Sequence, residues 1–149
     1  NTPVFYNNKY VKDNVKMPLA HGERVFGRWE YIRYFMDNSI QVIQPDIGNA
    51  GGITETKRIC DMAYTFDVGV QIHTCASHLL TPPSVQLEAC IPNFVIHEQH
   101  MRSMNPSNQE LTAKVVMPKN GYLDVTDDIG IGNEWSDKAL ASEDQITLN

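Results

Sequence analysis

Through the first hundred residues, short apolar runs alternate with amphipathic stretches of helical length. Val4–Asn14 carries a weak helical pattern, with Val4, Phe5, Tyr10 and Val11 set among polar residues. Residues 17–23 (MPLAHGE) read as a short strand ending in a turn. Residues 25–38 read as an amphipathic helix, with Val25, Trp29, Ile32 and Met36 at helical spacing. Residues 40–46 (IQVIQPD) are the next strand, and Pro45 stands near its end, where a strand tolerates proline. A glycine-rich turn over residues 48–52 follows. Thr54 is the expected N-cap of the next helix, Glu55 suits its first turn, and Ile59, Met62, Ala63 and Phe66 form one face to about Asp67. Trp29, Met36 and Phe66 are most simply core residues.

Residues 68–74 (VGVQIHT) are rich in β-branched side chains and read as a buried strand ending at His73. A loop of small and polar residues runs on to Leu80. Thr81 and Pro82 look like an N-cap with proline at the first helical position, and Pro92 closes that helix. Residues 93–98 (NFVIHE) are the last strand. The order αβαβαβαβ, with connections of helical length, predicts an α/β fold with a parallel sheet and crossover helices. From about Met101 the chain changes. It is polar, it carries NPSN, KNG and GIG turns, and only residues 121–125 look strand-like. The expected organisation is therefore one unit over residues 1–100 and an extension over 101–149 that wraps onto something else.

Each predicted strand ends on a polar residue: Glu23, Asp46, His73 and Glu98, at intervals of 23, 27 and 25. A closed (β/α)8 barrel uses roughly 250 residues for eight units, or about 30 per unit. Four units at this spacing amount to half of such a TIM-like barrel. All five histidines, His21, His73, His78, His97 and His100, fall at or just past predicted strand ends, which is where such barrels carry their reactive groups. An open doubly wound sheet is the weaker alternative, because no glycine-rich phosphate turn follows a first strand.

Composition narrows the function classes. The chain is 42% hydrophobic and 20% charged, the balance of a globular protein. Its net charge of -6 without a basic run argues against a nucleic-acid surface. No apolar run approaches the ~20 residues of a membrane-spanning helix. Cys60, Cys75 and Cys90 are scattered and odd in number, which suggests reduced thiols and a cytoplasmic location. The chain opens NTPVFYNN, without methionine or a signal peptide, and reads as a segment of a longer protein.

The stretches QPDIGNAGGITE, HGER, the strand ending IHT and FVIHEQ resemble the C-terminal half of an enolase-superfamily barrel. The resemblance is to its mandelate racemase-like subgroup, among sugar-acid dehydratases similar to galactonate dehydratase. The tail's NGYLDVTDDIGIGNE resembles the segment that returns to the family's N-terminal capping domain, which this chain does not contain. The resemblance implies a Mg2+-dependent lyase that dehydrates an aldonate or aldarate to a 2-keto-3-deoxy acid through an enediolate. It makes Glu23 the third of three metal carboxylates, the other two lying upstream. It makes His73 an acid or base at the substrate's C2, with Asp46 holding its other ring nitrogen, and Glu98 the partner of the substrate carboxylate. Arg24 and His21 flank Glu23 and are candidates for substrate contact. The expected partners are a small sugar acid and further copies of the chain, with no nucleic acid and no membrane. The same machinery also serves racemases, epimerases and cycloisomerases, and a relative that binds sugar acids without turning them over remains a reading of a different class.

Taken singly, these residues have plainer readings. Glu23 could be a solvated rim carboxylate, Asp46 a turn cap, His73 a satisfied core histidine, and Arg24 half of a rim salt bridge. Gly51-Gly52 suits a packing turn better than a phosphate cradle. Zinc at Cys75, or between His97 and His100, is open on residue types alone. His97 and Glu98 should face opposite sides of a strand, which disfavours the second of these. Four βα units leave two open sheet edges. Residues 1–149 expressed alone are therefore expected to be aggregated or molten, and a sharp cooperative melt of the monomeric segment would contradict this.

Overall fold

The computed structural model describes residues 4–142. Helix α1 (Val4–Asn14) leads into strand β1 (Ala20–His21), and α2 (Gly27–Met36) crosses to β2 (Val42–Ile43). Two helices, α3 (Ile47–Ala50) and α4 (Gly52–Thr65), precede β3 (Gly69–Val70), and α5 (Thr81–Ala89) follows it. The strands form one parallel sheet in the order β1-β2-β3, with Ala20 beside Val42 and Val42 beside Gly69. Parallel neighbours must be joined by crossovers, and helices supply them here as the alternation predicts.

The chain separates into two compact units. The first runs to His73 and includes Leu87–Glu98; the second joins Thr74–Gln86 to the residues from Gln99 onward. In the first, Ile43, Val70 and Ile72 of the sheet are fully buried, as are Tyr31, Ile59, Cys60 and Ala63 of α2 and α4. Burial pushes the Cys60 thiol up to about 12, so it is a packing group and not a nucleophile.

Several expectations are corrected. The strands are shorter than the apolar runs that predicted them. The Leu19 N–H leaves the ladder for the Gln41 side chain at 3.0 Å, and Gly22 turns the chain out with φ +145. Trp29 and Met36 are not core but 71% exposed. The buried face of α2 is Tyr31, Tyr34 and Phe35, whose rings carry most of the apolar area; Phe35 stacks on the partly exposed Phe66 at 5.5 Å. Thr54 caps nothing: α4 starts two residues earlier, after Gly51 in the left-handed region at φ +113. A side chain there would also crowd Glu55, whose Cβ lies 3.2 Å from the added carbon. The expected turn over residues 48–52 is mostly α3.

The expected last strand is reduced to a single bridge between Val70 and Phe94. Parallel strands are apolar throughout because both faces and both edges are covered. In this chain Phe94, Val95 and Ile96 remain exposed, and the ladder has only β3 to hold it.

In the second unit, the strand-like residues 121–125 form no strand. The KNG turn does form: Lys119 bridges Tyr122, with Asn120 and Gly121 both at positive φ, as a two-residue hairpin turn requires. His78 is fully buried. Its Nε2 meets the Ser103 carbonyl at 3.0 Å, its Nδ1 accepts the Val116 N–H at 3.3 Å, and its own carbonyl accepts from Asn133 at 3.0 Å. A neutral imidazole satisfies both ring contacts, so His78 is a structural hub. Among the described residues, no helix is long and apolar enough to cross a membrane.

The buried Tyr31 hydroxyl donates to the Gly22 carbonyl at 2.7 Å, fixing the turn that follows β1. Tyr31→Phe in the full-length protein should lower stability by roughly 1–3 kcal/mol, because the carbonyl is left buried and unpaired. Chemical denaturation beside wild type checks this, and an unchanged midpoint would show the bond to be dispensable.

Candidate active site

The register of β2 on β3 continues past the strands. Gln71 N–H donates to the Ile43 carbonyl, His73 N–H donates to the Pro45 carbonyl, and Asp46 lies directly beside His73. Alternation turns Ile43, Val70 and Ile72 toward the helices and leaves Gln44, Asp46, Gln71 and His73 on the opposite face. Two cross-strand pairs therefore sit one above the other. Gln44 Nε2 donates to Gln71 Oε1 at 2.7 Å, and one step toward the carboxyl ends Asp46 Oδ2 meets His73 Nδ1 at 2.8 Å.

Asp46 makes both a cap contact and a contact with the imidazole. Its second oxygen accepts the Asn49 N–H at 3.0 Å and caps α3, while the first holds the imidazole. The residue is buried. Glu23 meets the other ring nitrogen of His73, with Oε2 2.9 Å from Nε2. The backbone carbonyl of Glu23 is held by Asn49 Nδ2 at 3.1 Å, so α3 supports two members of the cluster. An imidazole can donate to both carboxylates only when it carries two protons. The Glu23 side chain is 48% exposed, so it can leave the ring for another partner.

Among the remaining candidates, the Arg24 Nε lies 3.5 Å from Glu23 Oε1, with Arg24 largely exposed and Glu23 half-exposed, so the pair contributes little. His21 turns its ring edge-on to Tyr34 of α2 at 5.7 Å. Glu98 is half-buried at the end of the first unit. Gly51 is a helix cap, as the packing reading held. Among the described residues, no group of three or more His, Cys, Asp or Glu could hold a metal by itself. Neither zinc arrangement is formed. Of the two carboxylates beside His73, the half-exposed Glu23 has the oxygen donors that suit a hard cation such as Mg2+, whereas Asp46 is committed to His73 and to α3.

A second carboxylate–imidazole pair was not foreseen. Glu88 Oε2 meets His97 Nδ1 at 2.8 Å, with both side chains largely buried. The signal in the sequence was that Glu88 is the only charged residue of α5, within a helix otherwise free of ionic groups. The Gln44–Gln71 pair was likewise missed, although the strand register fixes it.

A family model described as enolase C-terminal domain-like matches residues 6–139. The D-galactonate dehydratase of Pectobacterium atrosepticum is 36% identical over 85 residues, covering 57% of this chain and 22% of that protein. A solved member of the enolase superfamily from Salmonella Typhimurium superposes with a TM-score of 0.92 at 42% identity, covering 97% of this chain and 37% of that one. An enolase from Agrobacterium radiobacter, solved with bound sodium and L-malate, gives a TM-score of 0.84 at 28% identity, covering 100% of this chain and 41% of that one. The chain thus spans well under half the length of each.

Burial holds the Glu88 carboxyl above its ordinary range, opposed by the His97 hydrogen bond, which lowers it. A carboxyl raised in the folded state binds its proton more tightly there than in the unfolded chain. Its contribution is therefore complete at acid pH and is lost as pH rises through the folded value. Glu88→Gln removes that loss. Thermal melts of the full-length protein should show Tm of the variant, relative to wild type, rising from acid to neutral pH. A difference that stays flat or falls would contradict the shift.

Proposed function

The chain belongs to the enolase C-terminal domain-like family, and on that premise we propose that it carries the proton-abstracting half of a sugar-acid dehydratase. The observation that supports this most is the Asp46–His73 pair, at 2.8 Å on neighbouring strand ends. The reaction is loss of water from a sugar acid to give a 2-keto-3-deoxy acid. The enolase-type half barrel corresponds to residues 1–100, and residues 101–149 extend toward a capping domain.

In this reading neutral His73 takes the proton from C2 through Nε2. Asp46 fixes the ring by accepting from Nδ1 and favours the imidazolium that forms. Because Nε2 faces Glu23 in the structure, that contact opens before substrate can reach the ring. Mg2+, held by Glu23 with oxygens from outside this chain, would supply positive charge where the substrate carboxylate gains negative charge. Glu98 hydrogen-bonds that carboxylate, and Arg24 and His21 border the site. The acid that expels the C3 hydroxyl comes from elsewhere in the protein.

In the full-length protein, His73→Asn should preserve the fold and lower turnover by about 10²–10⁴-fold, the usual contribution of a positioned base. Exchange of the C2 proton in heavy water, measured on D-galactonate and other sugar acids, is decisive: exchange at the wild-type rate in His73→Asn would remove it as the base. Glu23→Gln should weaken Mg2+ binding in a direct titration, and wild-type affinity there would exclude Glu23 as a ligand.

A further inference from the structure

Glu88 and His97 hold each other at 2.8 Å, and the Ile72 backbone also hydrogen-bonds Glu88, while Glu88 Oε1 and His97 Nε2 are buried without a hydrogen-bond partner among the described residues. Two orphaned polar atoms are costly, and their burial indicates that the Nδ1–Oε2 contact is worth keeping. Its placement suggests why. The segment after α5 is fastened to β3 by two backbone bonds, Val70 N–H to the Asn93 carbonyl at 2.8 Å and Val95 N–H to the Val70 carbonyl at 2.9 Å. Beyond Val95 the exposed edge gives the backbone no regular ladder. His97 is the next point at which it is held, and it is held to α5. Glu98 follows immediately.

We propose that Glu88 and His97 are positioning residues: their contact anchors the end of the last segment to α5 and so fixes where Glu98 presents its carboxylate. This rests on the reading of Glu98 as the partner of the substrate carboxylate. The pair is set apart from the Asp46–His73 pair by its second ring nitrogen and second carboxylate oxygen, which are both buried among the described residues. Its effect is to hold Glu98 to within a fraction of an ångström, the tolerance that site geometry demands.

The test is a double-mutant cycle in the full-length protein, on the sugar acid it turns over, screened first with D-galactonate. Glu88→Ala, or Glu88→Asp should alanine prevent folding, is combined with Glu98→Gln. Each single variant should lower kcat/KM by at least about tenfold, chiefly through KM. The double variant should lose little more than Glu98→Gln alone, because Glu88 acts through Glu98. Glu88→Gln keeps the reach of the side chain and should recover most of the loss. Multiplied losses in the double variant, or a lower Tm with wild-type kcat/KM in folded Glu88→Ala or Glu88→Asp, would overturn the positioning role. Wild-type kcat/KM in Glu98→Gln alone would instead refute the reading of Glu98, and the positioning role with it.

Discussion

The site depends on the parallel register of β2 on β3, and on one carboxylate at its end. The register sets Asp46 opposite His73, and Asp46 divides its two oxygens between the imidazole and the first turn of α3. The same side chain therefore ends a strand, starts a helix and orients an imidazole. An aspartate can do all three only where a strand passes directly into a helix N-terminus, because the capping geometry needs an extended backbone at that residue. Asn49, inside that short helix, then holds the Glu23 backbone. Slipping one strand by one residue would turn either Asp46 or His73 toward the helices and separate the pair.

The order of elements and the parallel sheet were legible in the sequence, because each rests on period and spacing, whereas the Asp46–His73 pair was expected from the family resemblance. Alternation places side chains on faces with little freedom, so a polar residue ending each strand was informative. The helix faces were less legible. Residues 25–38 are apolar on more than one side, and the tyrosines were passed over because their hydroxyls look polar. Yet Tyr31 is fully buried, with its hydroxyl satisfied by Gly22. Thr54 had the right side chain for a cap, but a left-handed glycine three residues earlier ended α3 and began α4. The last strand was overcalled for a different reason. Its residues are suited to a covered strand, yet Phe94, Val95 and Ile96 stay exposed among the described residues.

The two carboxylate–imidazole pairs show why residue type, distance and burial together still do not distinguish reactive groups from structural ones. In both, Nδ1 lies 2.8 Å from a carboxylate oxygen. His73 and His97 are almost equally covered, at 15% and 14% side-chain exposure. What separates them is the second ring nitrogen. At His73 it faces Glu23, a half-exposed side chain on an open rim that can move away. At His97 it is buried and meets no hydrogen-bond partner among the described residues. A general base needs one nitrogen held and the other reachable. On the proposed reading His73 meets both conditions, with Asp46 holding one nitrogen and the half-exposed Glu23 facing the other.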